Sequence, residues 1–177
     1  MIRKGIAVCA IAGLLVFAGA CRRATSAVDL MSQFDGATKQ PAAGQFAVQD
    51  VDLNGERKKA IVVPPDSRLT FKVQVPDEGW LRVSVGTKSE SWTQEGDGSF
   101  FLVGVSDGRT FDDLFTQHVN PFSNAGDRKW IQVWVDLSAY AGEEVELKFN
   151  TRTGPPNREG DGRGDMPVWG EPEIVVR

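Results

Sequence analysis

Residues 130–151 read WIQVWVDLSAYAGEEVELKFNT, and residues 165–174 read DMPVWGEPEI. The first stretch decides the fold class. Ile131, Val133, Val135 and Leu137 alternate with Trp130, Gln132, Trp134 and Asp136. Successive side chains of a strand point to opposite sides, so this alternation predicts a strand with its aliphatic face on a core. Val145, Leu147 and Phe149 repeat the pattern against Glu146, Lys148 and Asn150. Between the two runs, Gly142 takes a positive φ at little steric cost and can end a tight turn. The expectation is a pair of neighbouring antiparallel strands. A polar loop and a closing strand follow, the latter after the corner Trp169-Gly170-Glu171-Pro172.

Upstream the same grammar repeats. Phe46, Val48 and Val51 suggest a first strand, and Asn54-Gly55 is a hairpin-turn dipeptide. Ala60 to Val63 is apolar and stops at Pro64-Pro65. Leu69 to Val75 alternates cleanly and stops at Pro76, which cannot donate to a central ladder. Trp80 to Val85 and Phe100 to Val105 are further strands, separated by a long polar loop carrying Trp92. Asp107-Gly108 is a tight turn. The returning run, with Phe111, Leu114, Phe115 and Val119, alternates too irregularly for a plain strand, so a bulge or a helical turn is expected there. Many short strands with turn signals predict an all-β antiparallel sandwich of eight or nine strands.

Length and composition agree. A chain of 177 residues is one domain plus appendages and buries enough surface to fold without a disulfide or metal. Hydrophobic residues are 41% and charged residues 25% of the chain, as in ordinary globular domains, and 19 Gly with 9 Pro favour turns over long helices. The net charge of −4, with no basic stripe, excludes nucleic acid as a natural partner.

The wording is more specific than the pattern. VDLSAYAG, the VELKFNT strand, a Gly/Pro-rich loop, Asp165 and WGEPEI together resemble a bacterial galactose-binding-domain-like jelly roll. The resemblance covers roughly residues 98–177. Such domains occur in carbohydrate-active enzymes, sulfatase-associated proteins and lipoproteins. The resemblance implies a jelly-roll sandwich and, more loosely, glycan binding, since one fold hosts many functions.

The N-terminus reads as an address. Arg3 and Lys4 precede an apolar run of about 15 residues, too short for a comfortable span, and then Cys21. The ending AGAC resembles a bacterial lipobox, although Ala18 stands where Leu is favoured. That implies cleavage before Cys21 and lipidation of its thiol, hence a membrane-anchored envelope protein. An ordinary secretory signal and an uncleaved anchor are the competing readings. With Cys9 removed and Cys21 lipidated, the folded part has no thiol and no disulfide. Arg22, where an Asp would favour inner-membrane retention, leans towards the outer membrane. The expected organisation is a signal peptide over 1–21, a tether and lead-in over 22–44, and the sandwich over 45–177.

Few motifs carry chemistry. Gly104-Val105-Ser106-Asp107-Gly108 matches the nucleophile elbow, but that elbow needs a strand-turn-helix context, and here a hairpin turn is expected. His118 is the lone histidine and lacks thiol partners for zinc. The loop PPNREGDGRGDMP offers hard oxygen ligands without the spacing of an EF-hand. The jelly-roll resemblance implies a possible structural calcium near the chain ends, with Asp165 and Glu173 as candidates and Glu171 a third. A solvated loop is the competing reading, and the Arg-Gly-Asp tripeptide there is taken as coincidence. Sugar rings stack on aromatic faces, which singles out Trp92, Trp130, Trp134 and Tyr140, with Trp169 expected to plug the end of the sandwich. Burial in the core or under loops competes with that role. The expected function is non-catalytic binding of a glycan or other envelope component. The alternative is a structural lipoprotein that docks a protein.

Overall fold

The computed structural model describes residues 25–177, with side-chain surroundings from residue 27 onward. The signal segment and Cys21 lie outside the described residues. Among the described residues eleven strands are present: β1 Thr25–Asp29, β2 Thr38–Gln40, β3 Ala47–Leu53, β4 Glu56–Val62, β5 Ser67–Gln74, β6 Gly79–Thr87, β7 Ser99–Ser106, β8 Phe111–Val119, β9 Ile131–Asp136, β10 Glu144–Thr153 and β11 Pro167–Val176. Helical structure among the described residues is confined to 3₁₀ turns of three residues each. The all-β antiparallel sandwich is therefore the fold.

Two sheets face each other. The first runs β3-β4-β11-β6-β9, with β1 also on β11, and the second runs β2-β5-β10-β7-β8. β4 pairs the start of β11, at Val168 to Gly170, and β1 pairs its end, from Glu173 onward. A register shift between Gly170 and Glu173 divides the two, where Glu171 takes φ 45°.

The alternating residues fill the gap between the sheets. Leu81, Val83, Val85, Val133, Val135 and Ile174 meet Leu69, Phe71, Val73, Val103, Leu147 and Phe149. Trp169 is fully buried. It meets Phe149 and Phe101 edge-on, at centroid distances of 4.9 and 5.0 Å, and donates from Nε1 to Thr151 Oγ1 at 3.3 Å. Such ring pairs contribute about 0.5–1.5 kcal/mol beyond area burial. Trp169 thus fills the core near the end of the sandwich where β6 and β10 stop and β7 and β11 begin.

Three expectations change. First, β9 and β10 are not neighbours: β9 lies in the first sheet and β10 in the second. The turn between them, with Gly142 at φ 79°, carries the chain across the sandwich. Each strand has one apolar face, and alternation alone does not say which sheet presents it. Second, the segment read as tether contributes β1, and the lead-in contributes β2. Both are short and pair with a single neighbour, so neither needs the apolar alternation that would announce it. These two strands raise the count from eight or nine to eleven. Third, the irregular run after Gly108 is a strand with a register shift opposite Val103 and Gly104, so the bulge holds and the helical turn does not.

Candidate functional site

Four of the five tryptophans stand on the outer face of the first sheet or against it, and that face has two halves. At one end Trp130 packs with Val51, Leu53, Ala60 and Val168, with Val62 and Trp92 alongside, as a small second core. Gly170 makes room for it: a Cβ there would come within 2.9 Å of Trp130 Cζ3 and 3.2 Å of Lys58 Cδ. Trp130 is buried and donates from Nε1 to Glu56 O at 3.0 Å; half-buried Trp92 donates to Thr87 O at 3.0 Å. Both indoles are committed to packing and to internal acceptors, so neither offers a free ring with a free N–H.

At the other end the face is more open. β6 presents Trp80, Arg82 and Ser84 outward, and β9 presents Gln132 and Trp134. Trp80 pairs with Asp136 and Arg82 with Trp134, so the two indoles are diagonal neighbours on one surface. Both are partly exposed. The Arg177 guanidinium lies 4.0 Å from the Trp134 ring centroid and 5.0 Å from that of Trp80; Arg82 is 5.7 Å from Trp134. Arg82 also donates from Nε to Glu173 Oε1 at 2.9 Å and from Nη2 to the same oxygen. Ser84 and Gln132 continue the polar strip between this end and Trp130. The result is a surface with two partly exposed aromatic rings, a carboxylate-braced guanidinium, an amide and a second, exposed guanidinium.

Of the aromatic candidates, Trp134 therefore stands at the open face and Trp130 and Trp92 at the packed end. Tyr140 is elsewhere, in the crossover after β9. It packs half-buried against the main core and donates its hydroxyl to Asp112 Oδ2 at 2.8 Å. Burial first, then the Asp112 carboxylate, push its pKa up to about 12. Trp80 and Arg82 were not among the sequence candidates. Trp80 sits one residue past β6's first residue, where alternation reads as an edge of the strand, and the register with Trp134 is invisible until the sheet is paired.

Asp165 and Glu173 do not come together. Asp165 precedes β11, whereas Glu173 lies six positions past the strand's first residue, a separation of about 20 Å along an extended strand. Glu173 is already neutralised by Arg82. Glu171 is exposed and pairs at 3.7 Å with Lys58. Asp165 sits at the far end of the sandwich with Asp97, Asp161 and Asp66 nearby. Burial, then those three carboxylates in that order, push its pKa up to about 7, partly offset by the Ser99 hydroxyl. Among the described residues, no three His, Cys, Asp or Glu side chains converge as a metal-binding group.

The G-x-S-x-G match resolves as a β-hairpin: Ser106 ends β7, its Oγ accepts from Gly108 N at 3.2 Å, and β8 follows. His118 pairs with Phe100 at the opposite end of that hairpin, with Nε2 2.7 Å from Asp97 O. A groove of about 370 Å³ runs past Gln40, Asp66, Arg68, Asn150 and Arg152. Its wall holds no aromatic ring.

No family model matches the chain. A protein of Archaeoglobus fulgidus described as uncharacterized is 38% identical over 144 residues, 81% of this chain and 34% of its own length. The chain thus spans about a third of that relative. The fold has clear structural counterparts at low identity. The CBM51-2 and INT domains of Clostridium perfringens ZmpB align with a TM-score of 0.53 at 16% identity, over 88% of this chain and 30% of theirs. TmCBM61, solved in complex with beta-1,4-galactotriose, aligns at 0.52 and 11% identity over 84% of this chain and 94% of its own. The tandem CBM51 modules of a family 98 glycoside hydrolase from Streptococcus pneumoniae SP3-BS71 align at 0.50 and 12% identity, over 80% and 44%. The chain has the sandwich fold of carbohydrate-binding modules.

Proposed function

We propose that this protein is a non-catalytic glycan-binding module anchored in the cell envelope, and that it binds sugar on the face formed by Trp80, Trp134, Arg82 and Glu173. The observation that carries the reading is the pair of indoles set diagonally on one open sheet face, beside a guanidinium and a carboxylate. A pyranose has an apolar C–H face and a rim of hydroxyls. The rings take the first, and Arg82, Glu173 and Gln132 take the second. Arg177 now covers the rings, but an exposed cation–π contact is worth only about 0.5–1 kcal/mol, so a sugar displaces it at small cost. The freed guanidinium then donates to ring hydroxyls. The fold shared with modules such as TmCBM61, whose complex holds a galactotriose, supports the same reading.

The alternative, a protein-docking lipoprotein, has less support. Among the described residues the exposed large hydrophobics are Phe111 and Phe122. Phe111 opens β8 and Phe122 follows its far end, so they form no contiguous patch. The hairpin geometry at Ser106 and the distance of His118 from it argue against a hydrolytic triad.

The anchoring belongs to the same reading. Thr25 pairs with Val176, at the end of the first sheet that carries Trp80. Cys21 is four residues before Thr25, within about 14 Å of fully extended chain. A lipid on Cys21 would hold the aromatic face near the membrane, which fits a saccharide of the envelope itself. Replacing Trp134 with Ala should weaken binding on a glycan array by about tenfold or more, equivalent to about 1.4 kcal/mol. Unchanged binding would remove the face from consideration. Cys21→Ser should release the protein from membranes on fractionation, and retention would contradict the anchor.

A further inference from the structure

The outer face of the second sheet carries guanidinium groups that hold no carboxylate among the described residues. β2, β5 and β10 set Gln40 opposite Arg68 and Arg68 opposite Asn150. The alternate residues Leu69 and Phe149 point into the core, so this row points outward. Arg152 lies two residues beyond Asn150 on the same face. It is a diagonal neighbour of Arg68, about 7–8 Å away at the backbone. These four residues line the groove of about 370 Å³, and Asp66 lies in the same wall. Small-ligand sites occupy about 300–1,000 Å³, so the groove has room for a sugar ring.

The donors of this groove are held in place but not used. Arg68 donates from Nε to Asn150 Oδ1 at 2.6 Å. That bond fixes the guanidinium and leaves both Nη groups without an acceptor among the described residues. Asn150 is 5% exposed, and its Nδ2 likewise has no acceptor there. A buried amide N–H without a partner is costly, and an oxygen of a bound molecule removes that cost. Arg152 is exposed and makes no hydrogen bond or ion pair among the described residues. By contrast, Arg82 and Arg163 each hold a carboxylate. Asp66 is turned to the neighbouring strand end: its Oδ1 accepts from Thr153 N at 3.1 Å and its Oδ2 from Thr153 Oγ1 at 3.3 Å. Two guanidiniums less one carboxylate leave the groove at +1, in a chain whose net charge is −4.

We propose that this groove binds the anionic group of an acidic saccharide, a uronate carboxylate or a sulfate ester, between Arg68 and Arg152. A guanidinium presents paired N–H groups that match two oxygens of either anion, and such charge-assisted bonds are roughly twice as strong as neutral ones. Asn150 Nδ2 and the Gln40 amide supply further donors. Asp66 decides what carries the anion. A bare oxyanion has no proton to give a carboxylate and is repelled by it, whereas a sugar hydroxyl next to the anion donates to it. A ligand that brings charge and hydroxyls together therefore fits better than the phosphate layer of a membrane. The groove lies on the opposite sheet from Trp80 and Trp134, so the assignment stands whether or not the aromatic face binds a glycan.

The test is calorimetric titration of the protein with oligogalacturonate and with a sulfated galactan oligosaccharide, beside vesicles of phosphatidylglycerol. The expected result is saturable binding of at least one acidic oligosaccharide, weakened as salt is raised. Binding of the first alone identifies a carboxylate as the recognised group, and of the second alone a sulfate; binding of both shows that the groove reads the charge they share. Arg152→Ala removes a side chain that supports no other residue, and should weaken this binding by about tenfold or more. Arg152→Lys should restore only part of it, because an ammonium lacks the paired donors. Trp134→Ala should leave it unchanged. No binding of either oligosaccharide by the wild-type protein overturns the proposal. Binding that persists in both Arg68→Ala and Arg152→Ala, or that is lost in Trp134→Ala, overturns the assignment to the groove. Tighter binding to the vesicles than to both oligosaccharides makes the partner an anionic membrane and overturns the saccharide.

Discussion

Tyr140 is the only tyrosine in the chain, so its ionisation can be followed without interference. Its folded pKa of about 12 lies above the ordinary value of 10 because the ring is packed on the core and its hydroxyl donates to Asp112. The sign follows. The unfolded chain loses this proton near pH 10 and the folded chain holds it to about 12, so the contribution to stability is present below pH 10 and is lost as pH rises towards 12. Titration of the phenolate absorbance should give a midpoint near 12, and Asp112→Asn should lower it only part of the way, because burial is the larger cause. A midpoint near 10 would mean the ring is not packed. Trp169 is a second residue with a sharp prediction. Fully buried between Phe101 and Phe149, it should cost about 3–5 kcal/mol when replaced by Ala, read from denaturant midpoints. Trp130→Ala, in the smaller outer cluster, should fall at the lower end of that range or below it.

β11 ties the elements together. It pairs with β1, β4 and β6, and its register shift lets Gly170 sit beneath Trp130 while Glu173 reaches Arg82. Gly170→Ala should therefore push Trp130 out of its seat and cost about 1–3 kcal/mol, visible as a red shift of tryptophan emission. An unshifted spectrum with full stability would contradict that packing. The strands themselves were legible in sequence wherever one face met the core: β5, β6, β9 and β10 all show the alternation their burial requires. β1 and β2 were not, because a short strand paired on one side has no such pattern to display. Sheet membership was not legible either, since the turn around Gly142 reads the same whether it closes a hairpin or crosses the sandwich. The same limit applies to the face. Trp134 stood out as an aromatic opposite an aliphatic stripe, but its diagonal partner Trp80 depends on the register between β6 and β9. Asp165 could be picked out as an acidic residue in a Gly-rich loop. Its true neighbour Asp97 belongs to a different loop, and only the meeting of β6, β7 and β11 brings the two together.

The whole molecule has two polar ends with different chemistry. At the acidic end, Asp165 is raised to about 7, so the folded state binds a proton more tightly than the unfolded chain, whose carboxyl has the ordinary value of 3.8. This group's contribution to stability is present below about pH 4 and is lost as pH rises through 7. Asp97, Asp161 and Asp66 face it, and Arg163 is held by Asp161, so the slope is set by carboxylate repulsion and burial. Tm measured from pH 5 to 8 should fall more steeply for the wild-type protein than for Asp165→Asn. Equal slopes would remove Asp165 as the cause. At the aromatic end, the central claim is that Trp80 and Trp134 form the glycan platform. The most direct measurement is NMR of the five indole N–H resonances, assigned by substitution, during titration with a panel of envelope and plant glycans. The account predicts saturable shifts at Trp80 and Trp134 with one glycan class, while Trp169 and Trp130 stay still. Shifts confined to other indoles, or none with any glycan, would contradict it.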